Sequence, residues 1–143
     1  MNVGQILKEK GRRVVVNEAT VTVEEIVKEF AEEKIGAVVI IDDAGMVAGI
    51  VSERDVMRSL AQNGASTLVQ SAAAIMTRDV VTCREHDSVN RIMEAMTAGR
   101  FRHVPVVGDD LRLTGIVSIG DVVKNHIAEV ELEASALKSY VAG

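Results

Sequence analysis

The chain contains two copies of one segment, and this duplication limits the possible folds more than any other feature. When Val14–Val56 is aligned with Val80–Val122 without a gap, twelve of the 43 positions are identical. Ordinary composition would give roughly three or four identities by chance. The most similar parts are two octapeptides, GIVSERDV and GIVSIGDV, which begin at Gly49 and Gly115. The sequence therefore predicts two related halves that share a core, since neither half alone would easily bury one.

Each copy carries the same order of predicted elements. A short β-branched run, Val14–Val16 or Val80–Thr82, is followed by a helix with Thr22 or Ser88 as its N-cap. Two strands joined by a turn rich in Asp and Gly come next, and a second helix follows the octapeptide. This pattern predicts an α+β fold of two β-α-β-β-α repeats packed with pseudo-two-fold symmetry. The predicted strands and second helices are Ala37–Ile41, Val47–Val51, Glu53 to about Ala61, His103–Val107, Leu113–Val117, and Ile119 to about Glu129.

The serine and aspartate of each octapeptide have two interpretations. Ser52 with Asp55, and Ser118 with Asp121, match a capping box, which explains them without a ligand. The same geometry suits a nucleoside phosphate. Free N–H groups at a helix N-terminus favour an anion, a carboxylate there can hold a ribose diol, and the preceding glycine would leave room for close contact. Both copies also keep Gly-Ile-Val, which capping does not require, and this favours a ligand pocket.

Composition argues against several functional classes. The 143 residues carry a net charge of −5 and only 2% aromatic residues, so we expect no nucleic-acid or anionic-membrane binding. The single cysteine, Cys83, and three scattered histidines offer no disulfide or zinc site. With no signal peptide or long apolar run, we expect a cytoplasmic protein. No nucleophile–base pair or phosphate-binding loop indicates an enzyme.

The order of elements and several short motifs resemble a tandem pair of cystathionine β-synthase (CBS) domains. The motifs are the two octapeptides, Ile75–Thr77 ahead of Val80–Thr82, and Arg102–Val107. The resemblance extends from about Val3 to about Ile127, and it implies that two modules associate as a flat homodimer. The implied boundaries are repeat 1 at 3–61, a linker of a loop and a short helix at 62–74, repeat 2 at 75–127, and a C-terminal helix or tail at 128–143, together forming one module.

The resemblance also implies two clefts, each taking Ser-x-x-Asp from one repeat and strand residues from the other. Its ligands are adenosyl compounds: AMP, ADP or ATP, with NAD(H) a further candidate and S-adenosylmethionine a weaker one. The Asp would hold the ribose hydroxyls. The first cleft would contain Ser52, Arg54, Asp55, Thr77, Val80, Arg102 and His103. The second would contain Ser118, Asp121, Val14, Gly36 and Ala37.

The two clefts are not equivalent in charge. The first has two arginines, whose guanidinium groups match phosphate, whereas Gly36, Ala37 and Gly120 occupy the matching positions of the second. A cation in the second cleft would have to come from Arg12, Arg13 or a dimer partner. We therefore expect a phosphorylated nucleotide to prefer the first cleft.

The resemblance implies a regulatory sensor that acts on an unknown effector protein in trans. The alternative is a protein-interaction scaffold with vestigial clefts, although the charged residues of the first cleft favour the sensor. The C-terminal segment has apolar residues at helical spacing, which predicts either packing on its own domain or a dimer contact. These residues are Ile127, Val130, Ala134, Leu137 and Val141.

Overall fold

The computed structural model describes residues 1–142, which form two related halves of mixed helix and strand. The first half contains α1 (Val3–Lys10), β1 (Val16–Glu18), α2 (Val23–Glu33), β2 (Ala37–Ile41), β3 (Val47–Ser52) and α3 (Glu53–Asn63). A 3₁₀ helix (Gly64–Val69) and α4 (Ala72–Ile75) connect it to the second half, α5 (Val89–Gly99), β4 (His103–Val107), β5 (Leu113–Ser118) and α6 (Ile119–Ala142). The predicted fold class is confirmed.

The two halves repeat each other in strand register. β2 pairs antiparallel with β3, and β4 pairs antiparallel with β5. Ala37 lies opposite Ser52, and at the equivalent positions His103 lies opposite Ser118. Both pairs also shift register at the same place, one residue before the end of β2 and of β4. The duplication seen in the sequence is therefore a duplication of backbone geometry.

The first strand differs between the halves. β1 starts only at Val16, where it pairs in parallel with β2. Residues Val80–Thr82 form no strand, so that prediction is wrong for the second repeat. Only an isolated parallel bridge between Cys83 and Val106 remains there.

Proline explains why the second copy lacks this strand. In the first half, the Val39 N–H donates to the Val15 carbonyl at 3.1 Å and extends the parallel ladder. The position equivalent to Val39 is Pro105, which has no N–H to donate to Val81. Val81 is 44% exposed, which agrees with a segment that lies at the surface and not in the sheet.

Each repeat completes its core with the helix that precedes the other repeat. Val3, Ile6 and Leu7 of α1 are buried among side chains of α5, β4 and β5. Ala72 of α4 is buried among side chains of α2, β2 and β3. Helix α1 is also held to the second half by the Val3 and Gly4 N–H groups, which donate to backbone carbonyls of residues 87 and 85 at 3.0 and 2.8 Å. Each half therefore has its own buried cluster, completed by a helix that precedes the other repeat, and the expectation of one shared core is wrong.

The last helix extends past the compact part of the molecule. α6 continues without a break to Ala142, whereas the sequence predicted an end near Glu129 and a separate helix or tail after it. Every residue from Val130 to Val141 is exposed. Packing of this segment on its own domain, one of the two predicted outcomes, is therefore wrong. Within residues 1–142 no helix has both the length and the apolar character needed to span a bilayer.

Candidate ligand-binding cleft

A cavity of about 970 Å³ opens between the two repeats. Its wall includes the first turns of α3 and α6, the segment after α4, and the region between α5 and β4. Its volume lies at the upper end of the range for small-molecule sites. All seven residues assigned from the sequence to the first cleft line it: Ser52, Arg54, Asp55, Thr77, Val80, Arg102 and His103.

The octapeptide serines and aspartates cap α3 and α6, as the capping interpretation predicted. Asp55 Oδ2 accepts from the Ser52 N–H at 2.9 Å, and Ser52 Oγ accepts from the Asp55 N–H at 3.3 Å. Ser118 and Asp121 exchange the same two hydrogen bonds, at 2.9 and 3.3 Å. Capping and ligand binding are compatible, because the cap uses one carboxylate oxygen.

The second carboxylate oxygen of Asp55 faces two further donors. Asp55 Oδ1 accepts from the Thr77 hydroxyl at 3.0 Å and from the Arg58 guanidinium at 3.4 Å. Thr77 is itself fixed, because its N–H and carbonyl pair with the backbone of Ile50 at 2.9 and 3.0 Å. Asp55 is 5% exposed, whereas the Arg58 side chain is 58% exposed and its contact is long. Arg58 is therefore the donor that a ligand hydroxyl could most easily replace.

Cationic groups are concentrated around this cavity. Arg58 and Arg100 line it in addition to the predicted arginines, and Glu53 and Asp79 are the acidic residues that accompany Asp55. Arg58 and Arg100 were not among the site residues predicted from the sequence. Their signals were present: Arg58 lies three residues after Asp55, one helical turn away, and Arg100 lies two residues before the predicted Arg102–Val107 motif.

Two basic residues of the cleft, Arg54 and His103, have distinct surroundings. Arg54 donates to the Arg100 carbonyl at 2.8 Å, which links the start of α3 to the end of α5. Burial lowers the pKa of His103; the charge of Glu53 opposes this effect, and that of Lys10 adds to it. The imidazole is therefore neutral at neutral pH and can donate or accept a hydrogen bond in the cleft.

The five residues assigned to the second cleft do not line one open cavity. Gly36 and Ser118 line the large cavity described above. Asp121 lines a separate cavity of about 150 Å³ between α1 and α6. Val14 is half-buried and Ala37 is buried, and neither lines either of these two cavities.

The cation beside Asp121 is Lys10, whose Nζ lies 2.7 Å from the carboxylate. The prediction that Arg12, Arg13 or a partner would supply it is therefore wrong. Arg12 pairs with Glu85, and Arg13 pairs with Glu33 at 2.7 Å. Burial opposes ionisation of Asp121, but the hydrogen bonds from Lys10 and Ser118 and the Lys10 charge outweigh it and lower the pKa of Asp121.

The octapeptide glycines make room for protein rather than for a ligand. A Cβ on Gly49 would lie 2.6 Å from Met76 Sδ and 3.0 Å from the Thr77 carbonyl. A Cβ on Gly115 would lie 2.8 Å from both Cδ atoms of Leu7. In each repeat the chain that precedes the other repeat fills this space, so the expectation of ligand contact at the glycines is wrong.

Comparison with known proteins identifies the family. The sequence model of the CBS domain matches residues 3–62 and 72–127, which is most of the chain. The chain belongs to the CBS domain family. The crystal structure of the CBS-domain containing protein ATU1752 from Agrobacterium tumefaciens has 46% sequence identity and a TM-score of 0.83, covering 86% of this chain and 91% of its own.

Two further CBS structures contain ligands. The CBS domain protein PAE2072 from Pyrobaculum aerophilum, complexed with AMP, has 29% identity and a TM-score of 0.76 over 85% of this chain and 89% of its own. The CBS domain pair of protein MJ0100, in complex with 5′-methylthioadenosine and S-adenosyl-L-methionine, has 27% identity and a TM-score of 0.80 over 90% and 98%. The chain spans 61–66% of the length of the first curated relatives it matches.

Proposed function

We propose that this CBS pair is a regulatory module that binds an adenine nucleotide in the cavity between its repeats. One observation carries the proposal: the cavity combines the guanidinium groups of four arginines with a buried carboxylate, Asp55, which the Ser52 N–H and the Thr77 hydroxyl hold in place. A ribose and a phosphate need these two kinds of group. We propose no catalytic role for any residue of the cavity.

Asp55 is the proposed ribose anchor. Its Oδ2 is committed to the Ser52 cap, so a ribose hydroxyl would donate to Oδ1 in place of Arg58. Thr77 keeps its hydroxyl on the same oxygen and fixes the carboxylate during this exchange. The released Arg58 side chain would then be free to reach the phosphate of the same ligand.

The proposed phosphate contacts are Arg54, Arg58, Arg100 and Arg102, whose planar guanidinium groups match phosphate geometry. AMP, 5′-methylthioadenosine and S-adenosylmethionine, the ligands of the related structures, share an adenosyl group. The arginines favour AMP, ADP, ATP or NAD(H) for this chain. They disfavour S-adenosylmethionine, because its sulfonium is positively charged.

A nucleotide in the cavity would contact α3 of the first repeat and the region between α5 and β4 of the second. It would therefore change the orientation of the two repeats relative to each other. We propose that a homodimer of such modules transmits this change to an effector protein in trans. The alternative, an interaction scaffold with unused clefts, is favoured by the exposed end of α6 alone.

Thermal unfolding with and without ligand separates these functions. A ligand that binds only the folded chain stabilises it by about 2.7 kcal/mol at 100 times its Kd. We expect AMP, ATP or NADH to raise the Tm and S-adenosylmethionine to have little effect. Asp55→Ala should abolish the shift, and Asp43→Ala, in an exposed turn, should retain it. No shift with any of these compounds, or an equal shift in Asp55→Ala, would contradict the proposal.

A further inference from the structure

The two equivalent clefts differ in which group satisfies their acceptors. In the first, Thr77 donates its N–H to the isoleucine carbonyl of the octapeptide and its hydroxyl to Asp55. The equivalent acceptors in the second repeat are the Ile116 carbonyl and the Asp121 carboxylate. Lys10 Nζ donates to both of them, at 2.9 and 2.7 Å. One ammonium group therefore contacts both equivalent acceptors, although it lies on the capping oxygen of Asp121 whereas Thr77 lies on the other oxygen of Asp55.

We propose that Lys10 closes the second cleft, so that each chain binds one nucleotide. This inference rests on the proposed function. In the first cleft the carboxylate oxygen opposite the cap keeps an exposed, replaceable donor, whereas in the second the ammonium lies on Asp121 at ion-pair distance. The same oxygen already accepts from Ser118. Lys10 and Asp121 also line a cavity of only about 150 Å³, below the range of small-molecule sites, so a nucleotide can reach Asp121 only after the Lys10 side chain leaves the carboxylate and the Ile116 carbonyl.

The number of AMP molecules bound per chain, measured by equilibrium dialysis, tests this role of Lys10. We expect one for the natural chain and two for Lys10→Ala and Lys10→Met, the second variant keeping most of the side-chain stem. Lys8→Ala, an exposed lysine on the same helix, is the matched control and should bind one. Two sites in the natural chain, or one in both Lys10 variants, would overturn the inference. No AMP bound by any variant would instead overturn the proposed function.

An independent feature concerns the projecting part of α6. The family match ends at residue 127, whereas the helix continues to Ala142. From Val130 to Val141 the helix is exposed over its whole circumference, a length of about 18 Å at 1.5 Å per residue. Short helices without tertiary cover are marginal in water. We therefore expect another protein surface to cover this part of α6.

The apolar residues of this helix follow a coiled-coil repeat. They alternate in steps of four and three residues, as the a and d positions of heptads do. Most are large and are 44–78% exposed, so the stripe is open to a partner. A second copy of the chain offers the same stripe, which makes it a matching partner. The residues are Val123, Ile127, Val130, Ala134, Leu137 and Val141.

Charges beside the stripe determine its orientation. Glu133 occupies a g position and Lys138 an e position of the same heptad pattern. In a parallel, in-register pair, Glu133 lies beside Lys138 of the second copy, twice by symmetry. An antiparallel pair about the same midpoint brings Glu131 to Glu131 and Glu133 to Glu133. We propose that the ends of α6 form a parallel two-stranded coiled coil between two copies of this chain.

Molar mass in solution, from sedimentation equilibrium of the full chain over a range of concentrations, tests this interface. We expect a dimer, and Leu137→Asp should convert it to a monomer. Leu132→Asp is the matched control, because Leu132 is 72% exposed and Leu137 is 64% exposed but only Leu137 lies on the stripe. A monomeric natural chain, or a dimer that Leu137→Asp leaves intact, would overturn the proposal.

Charge reversal tests the orientation. In the parallel arrangement Glu133→Lys and Lys138→Glu each place like charges together and weaken the dimer, and the double variant restores opposite charges and dimerisation. In the antiparallel arrangement Glu133→Lys replaces one like-charged contact by another, and the double variant gives no restoration. A double variant as weak as the single ones would therefore refute the parallel coiled coil.

Discussion

Substitution of Gly49 by alanine tests how tightly packing and the cleft are coupled. The new Cβ would lie 2.6 Å from Met76 Sδ and 3.0 Å from the Thr77 carbonyl. The Met76 side chain can turn aside, but the Thr77 carbonyl is backbone and accepts from the Ile50 N–H at 3.0 Å. The new Cβ would therefore displace the backbone of Thr77, whose hydroxyl donates to Asp55.

The expected loss of stability follows from two opposing effects. Overpacking a core costs about 1–3 kcal/mol, and replacing glycine by alanine recovers about 0.4–1 kcal/mol by restricting the unfolded chain. With central values of about 2 and about 0.7 kcal/mol, the net loss is about 1.3 kcal/mol, which lowers the Tm by roughly 4 °C for a chain of this size. Loss of the hydrogen bond from Thr77 to Asp55, about 1 kcal/mol, should weaken AMP binding about fivefold.

Gly115→Ala is the matched control for Gly49→Ala. Its Cβ would meet the buried Leu7 side chain at 2.8 Å, outside the large cavity, so it should cost similar stability and leave AMP affinity unchanged. Urea denaturation and titration calorimetry with AMP measure the two effects. Equal losses of affinity in both variants, or unchanged stability in both, would refute the reasoning.

Three further changes have defined outcomes. Asp55→Ala should abolish AMP binding in titration calorimetry and Asp121→Ala should reduce it little, because Lys10 already holds that carboxylate; the reverse ranking would contradict the assignment of the first cleft. Leu111 has a φ of 65°, a left-handed conformation that costs energy for leucine, and the first repeat has Gly45 at the equivalent position. Leu111→Gly should therefore raise the free energy of unfolding by about 0.5–1 kcal/mol, measured as a higher urea midpoint, and a lower midpoint would contradict this strain. Burial, with the charge of Asp87, raises the pKa of the Cys83 thiol to about 12, so a thiol reagent at neutral pH should react only after unfolding, and fast reaction in the folded chain would contradict that burial.

The sequence predicted the local elements well because each was present twice. The bounds of β2 and β4 agree with the predicted Ala37–Ile41 and His103–Val107. Periodicity and capping residues act within one element, and two copies of the same pattern reduce the ambiguity of either. The loss of the strand at Val80–Thr82 was also readable in principle, because Pro105 stands where the first repeat uses an N–H.

Long-range partners were not predictable in the same way. An apolar stripe on α1 shows that a face is buried, but it does not show that the second repeat covers it. The contact between Lys10 and Asp121 joins residues 111 positions apart. In the sequence Lys10 is one member of a basic run that also contains Arg12 and Arg13. Any of the three could have been the cation beside Asp121, and only the direction of α1 in the structure shows that it is Lys10.

The pairs of equivalent positions separate packing from function. Five identical pairs of valine or isoleucine are buried in both copies, so packing alone accounts for their identity: Val23 and Val89, Ile26 and Ile92, Val38 and Val104, Val51 and Val117, and Val56 and Val122. The capping bonds likewise explain the identical Ser and Asp. Around the cleft the copies differ, with Arg54 opposed to Gly120 and Arg102 opposed to Gly36. Packing and capping act alike on both copies, so they cannot explain the positions where the copies differ. The evidence for a ligand lies in those positions, and they place the arginines in the first cleft.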